Sequence, residues 1–346
     1  MRSARLLPML LVAGAAALAG CGGSSTEART TAATTPTLPF PPTAFEPGEG
    51  PPESGSPSGT VVRLGGRAEG VAVDPRSHLA AVGVKGGEGG DVLALVDVRT
   101  GRVARRVPLP AAPRHVELAK PGGPFLVPAE DTDQLVQVDP ATGSAQATKV
   151  GDQPHDATYA DGRAYTADEF SATVTEVRNG RVVRRGVVDA QPGGIRAVGD
   201  KLAVISGRAY TVELLDRETL ASGGSQNVGY GPSHVVTDGS RLFIADTRGN
   251  GISTFATDPV LRFTHRLAVP DSPYGMAIDT RRKRLWVTRT AANAIAEIDI
   301  SGDTPRLVRS LPTIQQPNTV GVDETTGRLA IASATEGAVQ LLDPPR

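Results

Sequence analysis

The sequence predicts an all-β fold, a seven-bladed β-propeller in which an N-terminal strand closes the last blade. Three observations predict it. From about Thr60 onward, short runs of Val, Leu, Ile and Ala alternate with Gly, Asp, Asn and Pro turns, with no amphipathic helix of useful length. One phrase recurs: Gly70-Val71-Ala72-Val73-Asp74, Val235-Val236-Thr237-Asp238, Met276-Ala277-Ile278-Asp279 and Val320-Gly321-Val322-Asp323. The residues leading each unit, Ala68, Pro113, Pro154, Pro192, Pro232, Pro273 and Pro317, are separated by 45, 41, 38, 40, 41 and 44 positions. A fixed period of this size marks a repeat architecture, and four strands with their turns occupy about forty residues, one blade.

Ahead of the repeats, residues 1–20 read as an export signal. Arg2 and Arg5 precede an apolar run over residues 6–18. The run is shorter than the about 20 residues of a bilayer span, and small residues follow it. Leu18-Ala19-Gly20-Cys21 resembles the bacterial lipoprotein box. That resemblance implies cleavage before Cys21 and a lipid on Cys21. The expectation is an exported, extracytoplasmic protein, held at the cell membrane or outer envelope by acyl chains and not embedded in it.

Cys21 is the single cysteine, so no disulfide, zinc-thiolate site or thiol nucleophile is available and the fold rests on packing. Residues 21–58 are rich in Ser, Thr, Pro and Gly. They lack hydrophobic periodicity and read as a disordered, semi-extended spacer. Residues 59–346 remain for the propeller, enough chain to bury a core. Without Arg2 and Arg5, 34 basic side chains face 37 acidic ones. No basic patch dominates, which argues against a nucleic-acid partner. The expectation is a monomer.

Within the units the strands can be placed. In the fifth, residues 233–237 form the inner strand, a turn follows at Asp238-Gly239-Ser240, and 241–245, 251–255 and 261–267 are the next three. In the first, 93–98 leads through Arg99-Thr100-Gly101 into an outer strand over 102–109, a hairpin signal. Inner strands are continuous small apolar runs because both faces pack. Outer strands such as 180–188 carry arginines, as exposed edges do. The seventh unit ends after its third strand, 338–342, and lacks an outer one. The spare strand 59–64 supplies it and removes two open edges.

These units, with an Asp ending the inner strand and a D-x-x-T-G turn at Asp97 to Gly101 and Asp139 to Gly143, resemble the YVTN-type seven-bladed propellers. NHL, gluconolactonase and virginiamycin B lyase propellers are similar in pattern. The WD signature is absent, and the single Trp286 separates the chain from quinoprotein dehydrogenases. The resemblance implies the fold and leaves function open.

Inner strands start at one mouth of the channel, so the residues after each leading position ring that mouth. The first ring position gives Glu69, Arg114, His155, Gly193, Ser233, Tyr274 and Asn318. The second gives Gly70, His115, Asp156, Gly194, His234, Gly275 and Thr319. Three of the five histidines fall on these positions. Neutral imidazoles beside a carboxylate suit a zinc-like divalent metal with an open position, with His115, His155 and His234 as ligands and Asp156 or Glu69 nearby. Pro154-His155 resembles the Pro-His-Gly motif of lyase and amidating-enzyme propellers, which implies a metal-binding or basic histidine, although Asp156 replaces the glycine. Glu69-Gly70 and Pro317-Asn318 resemble the metal ligands of gluconolactonases. Against convergence, His115 and His234 stand one step later than His155, and strand neighbours point to opposite faces. The same residues also suit a polar mouth that bonds channel water and strand ends.

Other stretches carry less. Gly86 to Gly90 precedes no helix and reads as a loop, and Arg281 to Arg284 reads as a solvated turn. No Gly-x-Ser-x-Gly elbow is present. The expected role is binding or scaffolding for a small molecule, a cell-wall component or a protein partner. The rival is a lactone hydrolase or lyase working at the same mouth.

Overall fold

The computed structural model describes residues 46–52, 57–87 and 89–345. The export leader, Cys21 and most of the spacer lie outside the described residues. The repeats form seven antiparallel four-stranded sheets, the blades of a propeller. Their inner strands are Arg67–Asp74, Glu117–Leu118, Pro154–Ala160, Pro192–Val198, Pro232–Thr237, Pro273–Asp279 and Pro317–Asp323, which number blades 1 to 7. The second of these is shorter than its sequence unit suggests. Pro113 leads a bend, and pairing starts only at Glu117.

Each blade is packed between two neighbours, so its middle strands have no solvent face. Lys201–Ser206 in blade 4 is buried after its first residue, and so is Arg241–Asp246 in blade 5. The seven hydrophobic clusters fall at the seven junctions between adjacent blades. Phe243, at the junction of blades 5 and 6, is fully buried; such a side chain contributes about 3 kcal/mol. Outer strands such as Arg181–Val187 alternate exposed and half-buried positions, the signature of one wet face.

The ring closes as the sequence predicts. Thr60–Arg63 pairs antiparallel with Ala338–Leu342, placing Val61 opposite Gln340 and Val62 opposite Val339. Gln340, wholly buried, locks this seam. Its Nε2 donates to the Ser58 carbonyl at 2.7 Å, and its Oε1 accepts from the Ile314 amide at 3.0 Å. The aspartates that end inner strands shape the turns. Asp74 accepts from the amides of Arg76, Ser77 and Gly122 at 3.0, 3.1 and 2.9 Å. In the D-x-x-T-G turns, Asp97 and Asp139 do the same for their own loops, and Gly101 and Gly143 sit at φ 71° and 73°, where a side chain is strained.

Part of the stretch read as spacer is bound to the propeller. The Gly48 amide donates to Ser272 Oγ at 2.8 Å, and the Gly50 amide donates to Gln316 Oε1 at 2.5 Å. Gln316 Nε2 returns a bond to the Gly48 carbonyl at 2.9 Å, and Asn293 Nδ2 donates to the Pro51 carbonyl at 2.8 Å. Glu46 reaches Arg114 at 2.7 Å. Residues 46–52 therefore form a strap from blades 6 and 7 to blade 2, on the face where inner strands begin.

Candidate functional site

The ring positions meet, and a backbone irregularity explains how. In six of the seven blades the inner strand carries a β-bulge at its start, for example between Pro154 and Asp156 and between Pro232 and His234. A bulge puts two residues opposite one and breaks strict alternation. Residues one step apart can then share the channel side. His115 lies against His155, ring centres 4.7 Å apart, and stacks on His234 at 4.5 Å with planes 29° apart. His234 meets the Tyr274 ring edge-on at 4.5 Å.

The first ring position fills the near mouth. His155, Ser233, Tyr274 and Asn318 are all buried. Asn318 Nδ2 donates to Glu69 Oε1 at 3.1 Å, and Ser233 Oγ accepts from Thr247 Oγ1 at 2.7 Å. His155 Nδ1 stands 3.0 Å from Glu130 and 3.4 Å from Glu169. Burial alone would lower its pKa, but the Glu130 and Glu169 carboxylates outweigh burial and push it up to about 9. It is an imidazolium at neutral pH. His115 and His234 sit well below the ordinary histidine value, through burial first and then through neighbouring positive or protonatable groups. They are neutral.

Asp156 is fully engaged in structure. It accepts from the amides of Ala157 and Ile195 at 2.8 and 3.1 Å and from Arg196 Nη1 at 2.7 Å. Arg196 also pairs with Glu117 at 3.1 Å. Gly275 has a packing role at its ring position, since a Cβ there would fall 2.3 Å from the Asn318 carbonyl oxygen.

This arrangement does not fit the metal reading of His115, His155 and His234. A metal needs several lone pairs aimed at one point about 2 Å from each nitrogen, and stacked rings do not aim theirs so. Among the described residues no group of three or more His, Cys, Asp or Glu is placed to hold an ion.

Beyond the second ring position the channel is open. A cavity of about 390 Å³ runs from Gly70, His115, His234 and Thr319 to Pro75, Lys120, Thr280 and Glu324 in the turns of the opposite face. Lys120 and Thr280 there are exposed. None of the side-chain-bearing first-ring residues lines it. The channel is thus a blind pocket, floored by the histidines and entered from the far face, not from the mouth the sequence pointed to. Both nitrogens of His234 are buried without a hydrogen-bond partner among the described residues, as is Thr319 Oγ1.

Several site residues escaped the sequence reading: Arg196, Glu117, Glu130, Glu169 and Glu46. Arg196 had a visible signal, an arginine inside an inner strand that should be apolar. Glu130 and Glu169 follow the second strands of blades 2 and 3, and nothing local marks them.

Fold and site together define a seven-bladed β-propeller with a blind, histidine-floored channel. No family model and no curated protein matches the chain. Solved structures do. Hydrazine synthase of Kuenenia stuttgartiensis is similar at 17% identity and TM-score 0.70, covering 84% of this chain and 99% of that one. The Cps50 (Swd1) β-propeller domain of Myceliophteria thermophila is similar at 15% identity and TM-score 0.68, with 82% and 97% covered. A streptogramin B lyase is similar at 12% identity and TM-score 0.69, with 82% and 96% covered. At these identities the likeness is one of fold.

Proposed function

We propose that this protein is a binding propeller, exported and held at the envelope by a lipid on Cys21, whose blind channel takes one small molecule from the far face. The observation that carries this is the 390 Å³ cavity itself, walled by Val71, Val116, Val236, Met276, Ile278 and Val320, with His115, Glu117 and Arg196 among its few polar groups. A volume of several hundred Å³ with apolar walls and a few polar groups is the common form of a ligand site. The ring of packed blades serves as a rigid frame. Native mass spectrometry of protein purified without denaturant tests the reading. A bound small molecule is expected on the wild type and lost on Ile278→Trp, which fills the channel. A bare wild type that also ignores ligand libraries would sink it. Palmitate labelling, compared with Cys21→Ser, tests the anchor.

The rival reading, a lactone hydrolase or lyase, is favoured by one observation. His115 and His234 are held neutral beside the cavity, the state in which an imidazole accepts a proton. Turnover of a lactone panel, abolished by His234→Gln, would move the assignment to an enzyme.

A further inference from the structure

We propose that the channel receives an organic cation, a small aliphatic amine, whose ammonium group is held by the Glu117 carboxylate. This rests on the channel reading above and adds the chemistry of the occupant.

The placement of charge comes first. Two steps beyond the second ring position, blades 1, 2, 4, 5, 6 and 7 bring Ala72, Glu117, Arg196, Val236, Ala277 and Gly321 to the cavity. The charged side chains at this level stand on blades 2 and 4. Blades 5, 6, 7 and 1 complete the circle with a neutral, apolar arc. Arg196 of blade 4 pairs with Asp156 of blade 3 and with Glu117 of blade 2. The three make one bridge along one side of the lumen.

The balance of that bridge comes second. Arg196 Nη1 donates to Asp156 Oδ2 at 2.7 Å and to the Ile195 carbonyl at 2.6 Å, and its Nη2 stands 3.1 Å from Glu117 Oε2. One guanidinium answers two carboxylates, so one negative charge is left over. Nothing nearby cancels it. His115 and His234 are neutral, the His155 imidazolium is engaged by Glu130 and Glu169, and Lys120 and Glu324 at the far rim carry opposite charges. The surplus rests on Glu117. Its side chain is 30% exposed against 2% for Asp156, and Arg196 is its one cationic partner among the described residues. Burial lifts the Glu117 pKa, Arg196 pulls it down and Asp156 pushes it up again, leaving it raised. A carboxylate in that condition gains from a second cation.

The fit of the ligand comes third. An ammonium group on Glu117 brings the bridge to neutrality through a charge-assisted bond. Its hydrocarbon leaves water against the apolar arc. A carboxylate ligand would have to take Arg196 from Glu117 or Asp156, stranding a buried charge. A neutral amide makes a hydrogen bond and leaves the surplus charge where it was.

The purified protein, titrated by calorimetry with octylamine, octanamide and octanoate at about pH 8, where the amine is charged, supplies the test. Octylamine is expected to bind at least about tenfold more tightly than the other two, the scale of one charge-assisted hydrogen bond. Glu117→Gln should erase that preference, and Glu117→Asp, which keeps the charge, should retain it. Ile278→Trp should abolish binding of the amine. If octanamide or octanoate binds the wild type as tightly as octylamine and Ile278→Trp abolishes it, the ligand class is overturned and the channel reading stands. An octylamine preference that survives in Glu117→Gln overturns the role of Glu117. If none of the three binds, the class is overturned as well, and the co-purification test decides the channel reading separately.

Discussion

His115 and His234, carried by blades 2 and 5, stack across the channel with ring centres 4.5 Å apart and planes 29° from parallel. Two imidazoles at that distance cannot both hold a proton in a buried site. The pair is neutral, while His155 beside His115 is charged, and this division sets how the protein responds to acid and base.

Stability should fall on both sides of neutrality. The folded pKa values of His115 and His234 are depressed, so their contribution is complete above the unfolded value of about 6.5. It is lost as pH falls from there. For His155, raised to about 9, the sign reverses: its contribution is complete below about 6.5 and is lost as pH rises through 9. The alkaline loss is on the order of 3 kcal/mol. Melting temperatures from pH 5 to 10 should peak near neutrality, and His155→Gln should flatten the alkaline limb. A wild-type curve flat to pH 10 would contradict the His155 assignment.

Glu130→Gln should move the titration of His155 down by about one pH unit or more, because burial then acts against one carboxylate instead of two. Proton NMR of the imidazole signals measures it. An unmoved midpoint would mean Glu130 does not hold the proton in place.

The purified protein should carry no stoichiometric divalent metal, and a chelator should leave its melting temperature unchanged. Elemental analysis by plasma mass spectrometry checks this. One equivalent of zinc, lost on His155→Ala, would restore the ligand reading of the three histidines.

Gln340→Ala should cost about 2–3 kcal/mol, since it strips partners from the Ser58 carbonyl and the Ile314 amide at the seam. Chemical unfolding gives the number. Removing residues 57–64 should cost more, because it strips the outer strand from Ala338–Leu342, leaves that edge unpaired and exposes Val339 and Leu341. An unchanged midpoint for the truncated chain would deny the closing strand its role.

Gln316→Ala should release the strap. Both of its bonds to residues 48 and 50 are lost, and hydrogen exchange across 46–52 should quicken at least tenfold. Global stability should drop by no more than about 1 kcal/mol. Exchange equal to that of the wild type would show that Gln316 does not fasten the strap.

Periodicity made blade number and closure readable, because every blade needs the same apolar run where it meets its neighbours. Val62 opposite Val339 could be foreseen from a missing strand at one end and a spare one at the other. The ring residues could also be named, and His115, His155 and His234 do come together. Their chemistry was not readable. A bulge such as that at His155 depends on backbone geometry that alternation cannot anticipate. The proton on His155 depends on Glu130 and Glu169, which reach it only once blades 2 and 3 are side by side. The open end of the channel was missed because first-ring residues such as Tyr274 are bulky enough to fill one mouth, while the small and aliphatic residues beyond Thr319 leave the rest empty.

Asp343 follows the third strand of blade 7, and Gly59, at φ 83°, precedes its outer strand. Asp97 and Gly101 stand at the equivalent places in blade 1, joined there by three residues. The break in the chain therefore falls inside a tight turn that other blades keep whole. Rejoining Asp343 to Gly59 with such a turn, and cutting the same turn between Asp139 and Gly143 instead, would give a circularly permuted propeller with every blade intact. To this wheel of sheets, the starting point of the polypeptide is a matter of indifference.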